Sequence, residues 1–481
     1  MVALATILSM TGSVSAQRPS VQVAPEASDP LVLTAVTDAF GKSRFSYAGQ
    51  LSEPTMRVSP GNDLRIRYVN NLTPNSKEQC ALGPCSNYSN LHFHGLHVSP
   101  NAPQDDVIDL MAAPGQTLNY DVKIPLDQPP GLYWYHTHPH GESYRQDLDG
   151  MSGAIVVEGI DRYVPELRHM RERILMLRDA ELSKNKEERA AVMDIVDMGP
   201  KACGNENEPP ERVFTVNGQL RPDIAIAPGE RQFWRIANAS PDLYADLELS
   251  SSELEVVALD GMPLAFHDPM IRTLHMKHVL VPPGGRLEAI VTGPANGSHG
   301  TLRTRCFDTG KDGDPNLAMT LANLSLPQGI EPAHEFPEDN GRPVFRVLSK
   351  NDLRAIEQRP VQFTAVFTED KHGFYINQQR FTMNSSPMLA VKTGTYYHWR
   401  IVNNTDEVHP FHIHQVHFLA FDESGHFLTQ PRWLDTVNVP VRGSVDLVMD
   451  FTDPIIRGVS VFHCHLLNHE DKGMMAKILF Q

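Results

Sequence analysis

The sequence is poor in cysteine, has no long run of basic residues and has no apolar run long enough to cross a membrane. Its Lys and Arg residues number 42 against 58 Asp and Glu residues, which gives a formal net charge of −16. An acidic chain without a basic run is a poor nucleic-acid binder. A membrane-spanning helix needs ~20 apolar residues, and no stretch approaches that length. We therefore expect no nucleic-acid partner and no membrane span.

The five cysteines divide into a single residue and a set of four. Cys464 stands between two histidines. The other four form an even set that could close disulfides in an exported protein. Their simplest pairing is Cys80–Cys85 and Cys203–Cys306, although four cysteines allow about three connectivities. In a cytosolic protein the same residues would be free buried thiols.

Residues 1–16 have features of a secretory signal. Residues 2–14 are apolar and small, and Val14-Ser15-Ala16 has the small-residue pattern that precedes a cleavage point. The charged segment that usually comes first is missing, and a disordered N-terminus is the alternative. The pattern predicts a periplasmic or secreted protein.

A ten-residue pattern occurs three times, at residues 61–70, 229–238 and 394–403. Each copy begins with Gly, ends with Asn and carries an Arg between apolar neighbours, an alternation that indicates a half-buried strand ended by a turn residue. The copies lie 168 and 165 residues apart, which is too far for a solenoid repeat. They predict three homologous domains. The arginines are Arg67, Arg235 and Arg400.

Short alternating runs between Gly, Pro, Asn and Asp clusters are typical of antiparallel β-sandwiches. We expect the domains at residues 28–160, 161–326 and 344–481. The predicted boundaries are Glu158-Gly-Ile-Asp161 and the Pro- and acid-rich stretch 327–343. The exception to the β pattern is Ser183–Asp197, which is charged and fits a surface helix or loop.

Four His-x-His pairs stand out. Residues two apart on a strand share a face, so each pair can offer two imidazoles to one metal cluster. Two pairs lie in the first predicted domain and two in the third, so we expect eight imidazoles to meet where these domains touch, with the second domain mainly a spacer. A single pair is a weak signal that could equally bind zinc. The pairs are His92/His94, His136/His138, His412/His414 and His463/His465.

The last pair encloses Cys464. Cysteine plus two histidines with a weak axial methionine is the ligand set of a blue-copper electron-transfer site. His469 and Met474 follow Cys464 at suitable spacing, and His409 lies an odd step from His412, so it should face away from the histidine cluster. On a strand, Cys464 would face one metal site while its neighbours face the other, which gives electrons a short covalent path.

Together the motifs His-x-His-Gly, His-x-His, His-Pro-x-His-x-His and His-Cys-His-x3-His-x3-Gly-Met resemble the copper signature of three-domain multicopper oxidases. The resemblance implies an all-β chain of three cupredoxin-like Greek-key β-sandwich domains. It also implies four coppers: one type 1, one type 2 and two type 3. The matching type 1 ligands are His409, Cys464, His469 and Met474, the type 2 ligands are His92 and His412, and the type 3 ligands are His94, His136, His138, His414, His463 and His465. We expect a monomer.

In the resembled family, electrons enter near the residue matching His469 and pass through the cysteine matching Cys464. Reduction of dioxygen to water also consumes protons, so carboxylates should lie near the cluster. Glu470 matches a proton-relay glutamate of similar bacterial enzymes. Asp105 or Asp106 could fill a matching acid role in the first domain, and a solvated loop pair is the alternative for these two.

The resemblance leaves the electron donor open. Between residues 349 and 409 the only methionines are Met383 and Met388, whereas cuprous-oxidase relatives carry a methionine-rich insertion there. We therefore expect oxidation of phenolic or aromatic-amine substrates. One alternative is a cuprous or other metal-ion oxidase in copper resistance, because Asp406 and Glu407 beside His409 could guide a cation. A non-catalytic copper-binding envelope protein is the other.

Overall fold

The computed structural model describes residues 22–23, 30–74, 86–182, 195–197, 211–295, 299–327, 348, 351, 355–356, 358–420 and 432–481. The predicted signal, most of the segment 183–197 and most of the boundary 327–343 lie outside the described residues, as do Cys80, Cys85 and Cys203. Within the described part, Cys306 is disulfide-bonded, and Cys464 is a free, buried thiol.

The described residues form six sheets that pair into three β-sandwiches, so the all-β prediction is confirmed. In the first sandwich the sheet orders are β4-β3-β2-β6-β8 and β1-β5-β10-β9-β7. Its strands are β1 (Gln22–Val23), β2 (Leu31–Thr37), β3 (Ser43–Tyr47), β4 (Gln50–Leu51), β5 (Thr55–Val58), β6 (Asp63–Asn71), β7 (His92–His94), β8 (Thr117–Lys123), β9 (Gly131–His136) and β10 (Ser152–Val157).

The second sandwich has the orders β13-β11-β15-β21-β17-β18, with β19 also on β17, and β12-β23-β22-β16-β20, with β14 also on β23. Its strands are β11 (Arg171–Glu181), β12 (Val196–Asp197), β13 (Arg212–Val216), β14 (Asp223–Ala225), β15 (Arg231–Asn238), β16 (Ala245–Leu249), β17 (Leu254–Leu259), β18 (Met262–Pro263), β19 (Leu274–Met276), β20 (His278–Val281), β21 (Arg286–Thr292), β22 (Gly300–Arg305) and β23 (Ala318–Ser325).

The third sandwich has the orders β25-β24-β27-β32-β29-β30 and β26-β34-β33-β28-β31. Its strands are β24 (Phe363–Asp370), β25 (Gly373–Ile376), β26 (Leu389–Val391), β27 (Thr395–Asn403), β28 (His409–Ile413), β29 (Phe418–Ala420), β30 (Trp433–Leu434), β31 (Thr436–Val439), β32 (Ser444–Phe451), β33 (Gly458–Cys464) and β34 (Met475–Phe480).

Helices are short and serve the connections. The α-helices are α1 (Ser143–Leu148), α2 (Leu264–His267) and α3 (Leu467–Asp471), and the 3-10 helices are Ile160–Arg162, Pro165–His169 and Pro454–Ile456. None of the described helices is long and apolar enough to span a membrane.

The three copies of the sequence repeat occupy equivalent strands. Strands β6, β15 and β27 each lie between a parallel neighbour and an antiparallel one. Strands β6 and β27 alternate between buried and accessible residues as predicted, with Arg67 and Arg400 exposed. The half-buried prediction is wrong for β15, where Arg235 is fully buried.

The reason lies in the packing of the central sandwich. Trp234 faces the core of its own domain. Phe233 joins a cluster shared with third-domain residues such as Trp433, and Ala237 joins one shared with Trp134 of the first domain. Strand β15 is therefore covered on both faces, a contact between domains that local alternation cannot reveal.

Arg235 is held in a buried ion network. Its Nε donates to Glu172 Oε1 at 2.6 Å, and the guanidinium also pairs with Glu288. The network extends to the first domain, because Arg57 pairs with Glu172 as well. Charges this deeply buried are stable only as pairs.

We expect Arg235→Met to lower the free energy of unfolding by about 3–5 kcal/mol, because it leaves buried carboxylates without their cation. Chemical denaturation monitored by tryptophan fluorescence measures this. Arg67→Met is the matched control, since Arg67 occupies the same repeat position but is exposed; its effect should stay within about 0.5 kcal/mol. Equal effects of the two substitutions would contradict the assigned network.

Candidate metal centre

The histidine pairs lie on or just after strands β7, β9, β28 and β33, where the first and third sandwiches approach each other. Strand β7 pairs with β9 so that His92 lies opposite His136. In the third sandwich, β28 pairs with β33 so that His412 lies opposite His463. The eight imidazoles of the four pairs are all buried, with at most 1% of any residue exposed.

The structure brings these eight rings into one cluster. His463 Nε2 lies 3.1 Å from His414 Nε2 and 3.4 Å from His138 Nε2. On the other side, the ring centroid of His465 lies 5.0 Å from that of His94 and 5.8 Å from that of His136.

The last two rings, those of His92 and His412, lie 6.0 Å apart. Each of these two stacks on a ring of the opposite domain. His92 stacks on His414 at 3.6 Å, and His94 stacks on His412 at 3.9 Å. The predicted meeting of the first and third domains is therefore present in the fold.

Burial keeps the clustered imidazoles neutral. Burial lowers the pKa of each below the ordinary histidine value, in most cases with a further contribution from neighbouring imidazoles. A neutral imidazole offers a lone pair, which is the form that binds a metal. Eight neutral rings with converging nitrogens form a ligand set rather than a charged patch.

Several ring nitrogens in the cluster have no hydrogen-bond partner among the described residues. Buried polar atoms are normally satisfied, so these atoms fit the donor set of a bound cation. They are His92 Nε2, His94 Nδ1, His136 Nε2, His412 Nε2, His414 Nδ1 and both nitrogens of His465.

Backbone carbonyls orient three of the rings. An imidazole that donates from one nitrogen must present the lone pair of the other. The Nδ1–H groups donate at 2.8–3.0 Å, from His136 to the carbonyl of Thr137, from His412 to that of Asp435 and from His463 to that of Cys464. Their Nε2 atoms are thereby directed to the cluster.

A second, smaller site lies beside Cys464. His409 Nδ1 lies 3.4 Å from Cys464 Sγ and 3.3 Å from His469 Nδ1. Thr405 Oγ1 contacts the other nitrogen of His409 at 2.8 Å, which leaves Nδ1 for a metal. Met474 is fully buried in the same core as Cys464. The set fits a soft, thiolate-preferring metal such as copper.

The two sites are adjacent in the chain, as strand alternation predicts. Cys464 belongs to the small site, while His463 and His465 belong to the histidine cluster. Each histidine is one peptide bond from the cysteine. Burial raises the pKa of the Cys464 thiol well above its ordinary value, so ionisation of the thiol requires a cation at this site.

Of the two candidate acids in the first domain, only Asp105 contacts the cluster. Its carboxylate lies 3.0 Å from His92 Nδ1 and accepts from Gln415 Nε2 at 2.6 Å. Burial raises the pKa of Asp105 to about 8. Asp106 instead accepts hydrogen bonds from the backbone N–H groups of residues 108 and 109, and these bonds close a turn.

Glu470 on α3 is the second carboxyl group at the cluster. Its Oε2 lies 3.2 Å from His463 Nδ1, and its Oε1 lies 3.6 Å from His138 Nε2. Burial raises the pKa of Glu470 well above its ordinary value, and Asp471 adds to this. A carboxyl group with a raised pKa therefore lies next to two rings of the histidine cluster.

Sequence reasoning missed two contributors, Asp435 and the second domain. Asp435 Oδ1 lies 3.2 Å from His94 Nε2 and is paired with Arg286 of β21. A Cβ placed on Gly284 would come within 2.9 Å of the His465 ring. The second domain thus forms part of the wall of the cluster, which its predicted role as mainly a spacer did not include. No sequence motif indicated a role for Asp435.

A small cleft opens beside His469. Glu407, Asp242 and Asp314 line it, and Tyr244 supplies an aromatic side chain. Glu407 Oε2 lies 3.5 Å from His469 Nε2, and burial with nearby carboxylates raises the pKa of Glu407 to about 9.

The cleft carboxylates differ in their partners. Arg212 pairs with both Asp242 and Asp314. Asp406, which the sequence placed beside His409 as a possible cation guide, pairs instead with Arg442 at 2.7 Å at the surface. Glu407 is therefore the carboxyl group that adjoins His469.

Two family profiles described as multicopper oxidase match residues 34–161 and 355–481, which together make up more than half of the chain. The multicopper oxidase Mco of Staphylococcus haemolyticus is 23% identical over 91% of this chain and 85% of that protein. The laccase of Bacillus subtilis is 21% identical over 90% of this chain and 89% of that protein.

Solved structures support the same fold. A multicopper oxidase from Campylobacter jejuni, described as a metallo-oxidase, aligns with a TM-score of 0.67 and 23% identity over 96% of both chains. McoA of Aquifex aeolicus aligns with a TM-score of 0.71 and 19% identity over 97% of this chain and 100% of that one. Because the two multicopper oxidase profiles together match more than half of the chain, the chain belongs to the multicopper oxidase family.

Proposed function

We propose that the protein oxidises a one-electron donor at the Cys464 site and couples this to four-electron reduction of dioxygen to water at the histidine cluster. The supporting observation is the convergence of eight neutral, buried imidazoles one residue away from a Cys–His–His–Met set. Copper bound at these sites would supply single-electron uptake at the first and dioxygen reduction at the second.

We further propose four coppers per chain, held by the residues that match the family motifs. His409, Cys464, His469 and Met474 would hold the type 1 ion, and His92 and His412 the type 2 ion. One type 3 ion fits the trio His138, His414 and His463, in which His463 Nε2 lies 3.1 Å from His414 Nε2 and 3.4 Å from His138 Nε2. The other fits His94, His136 and His465.

Two carboxyl groups of the chain hold protons at the cluster. Asp105 does so beside His92, and Glu470 does so beside His463 and His138. Asp105 belongs to the first domain and Glu470 to the third, and each contacts residues of both domains. Each is within proton-transfer reach of a ring edge.

For the electron donor, we propose a metal cation rather than a neutral phenol, because the carboxyl group beside His469 can release its proton on binding a cation. Glu407 adjoins His469, and two further carboxylates line the cleft. The ring of Phe374 stacks on that of His469 with a centroid distance of 3.8 Å and covers one face of the imidazole. A phenol requires apolar area that this small cleft supplies mainly through Tyr244 and Leu466. Phenolic and aromatic-amine donors remain the prediction from the sequence.

The test is oxygen uptake by the copper-loaded protein with cuprous ion or a methoxyphenol as donor. We expect Glu407→Gln to raise the KM for cuprous ion about fivefold above pH 9, where Glu407 is ionised, because one charge contact near a surface contributes up to about 1 kcal/mol. The KM for the phenol should stay unchanged. Asp406→Asn is the control and should alter neither value. A raised KM for the phenol with an unchanged KM for cuprous ion would instead support a phenol as the electron donor.

We also propose export to the periplasm or the exterior. The support is the signal-like segment at residues 1–16 and the disulfide at Cys306, because disulfides persist in oxidising compartments. Mass spectrometry of the mature N-terminus, with cleavage after Ala16 as the expected result, tests this.

A further inference from the structure

A buried guanidinium occupies the point where all three domains meet beside the cluster. Arg286, at the start of β21 in the second domain, is 1% exposed. Its Nε donates to the carbonyl of Leu132 in the first domain at 3.3 Å. Its Nη1 and Nη2 donate to the two carboxylate oxygens of Asp435 in the third domain at 2.7 and 2.6 Å.

The orientation of Arg286 is fully determined. An arginine has five N–H donors, and the remaining two go to the carbonyls of Gly284 at 3.1 Å and Asp260 at 2.9 Å. All five donors are therefore used. The paired bonds to Asp435 have the fork geometry that only arginine provides, since lysine acts as a point charge.

Asp260 of the second domain binds the backbones of both Arg286 and Asp435. Its Oδ1 accepts the backbone N–H of Arg286 at 2.8 Å, and its Oδ2 accepts that of Asp435 at 3.2 Å. The second domain thus fixes both the carboxylate and the backbone of Asp435.

Asp435 in turn contacts two rings of the cluster. Its Oδ1 accepts from His94 Nε2 at 3.2 Å, and its carbonyl accepts from His412 Nδ1 at 2.8 Å. The nitrogens left over, His94 Nδ1 and His412 Nε2, are two of the atoms without a hydrogen-bond partner in the described structure. The tautomer and direction of both rings thus depend on the position of Asp435.

We propose that Arg286 is a positioning residue for the copper cluster, acting through Asp435 on His94 and His412. The central domain would thereby set the geometry of the type 2 site and of one type 3 ligand, although it supplies no ligand itself. This inference rests on the proposed copper occupancy of the cluster. It assigns no such role to Arg235, which is equally buried in the same sheet but contacts Glu172 and Glu288.

The test compares Arg286→Lys with Arg235→Lys in the copper-loaded full chain. Type 2 copper is followed by electron paramagnetic resonance during titration with a copper chelator, and the blue absorption band of the type 1 site is recorded alongside. We expect Arg286→Lys to lower type 2 affinity roughly 10- to 100-fold, the usual cost of losing an outer partner of a metal ligand. The blue band should be retained. Arg235→Lys should leave the type 2 titration as in the wild type.

Asp435→Asn provides a second variant in case Arg286→Lys does not fold. It keeps the side-chain volume and the backbone carbonyl but breaks the paired contact with Arg286, so the type 2 signal should weaken in the same direction. Wild-type chelator curves for either folded variant would overturn the inference. Absence of type 2 copper from the wild-type protein would instead contradict the proposed function.

Discussion

Cys464→Ser should remove the blue absorption band and reduce oxygen uptake to the level of the copper-free protein. Cys464 is the proposed ligand that directly adjoins the histidine cluster in the chain, and a hydroxyl group is a poor copper ligand. The eight clustered histidines keep their positions, because serine fits the space of cysteine in the β33 core. The variant should therefore still bind copper at the cluster.

Copper content and visible absorption of purified Cys464→Ser measure both parts of this prediction. Met474→Leu is the matched control, because it replaces the axial thioether with an apolar side chain of similar size. It should keep the blue band and oxygen uptake. A Cys464→Ser protein that remains blue would show that the thiolate is not a copper ligand.

Glu470→Gln should slow oxygen uptake by roughly 100-fold or more while the blue band stays unchanged, because a positioned proton donor contributes about 10²–10⁴-fold. The amide keeps the size of the buried side chain but carries no transferable proton. Burial raises the pKa of Glu470, so the carboxyl group of the wild type keeps its proton as the pH rises. The deficit of the variant should therefore grow with pH up to the raised pKa of Glu470 and shrink above it, where the wild type also loses this proton.

The pH profile of oxygen uptake distinguishes a proton donor from a packing residue. Asp106→Asn is the control, because Asp106 closes a turn through contacts that an asparagine oxygen can also accept. Its profile should match that of the wild type, whereas Asp105→Asn should be slow. Full oxygen uptake by Glu470→Gln over the whole pH range would refute the relay assignment.

Most of the side chains that the structure brings together at the two sites could be predicted from the sequence because their signals are local. A spacing of two on a strand puts both histidines of a pair on one face, and an odd step puts His409 and Cys464 on the other. The repeated Gly…Arg…Asn pattern likewise predicted equivalent strands in three sandwiches. These inferences need only the period of a strand.

The features that were missed depend on how the domains dock. Asp435 and Arg286 are 149 residues apart, and their pairing exists only once the second and third sandwiches are in place. The same holds for Arg235, whose strand is covered on both faces. Asp105 and Asp106 could not be separated because adjacent loop residues follow no period, and only the contact with His92 distinguishes them.

Domain docking also explains why the central sandwich matters to a cluster for which it supplies no ligand. Gly284 approaches the His465 ring, and Arg286 holds Asp435 against His94. A cluster assembled from two domains would otherwise depend on one interface alone. The third contact fixes the relative position of the two ligand-bearing domains.

A reductive titration of the copper-loaded protein, followed by reoxidation with a measured amount of dioxygen, tests the central claim most directly. The account predicts that each chain accepts four electrons and that one dioxygen reoxidises it without release of hydrogen peroxide. Uptake of a single electron, with a blue protein that does not react with dioxygen, would contradict the oxidase and leave a copper-binding protein.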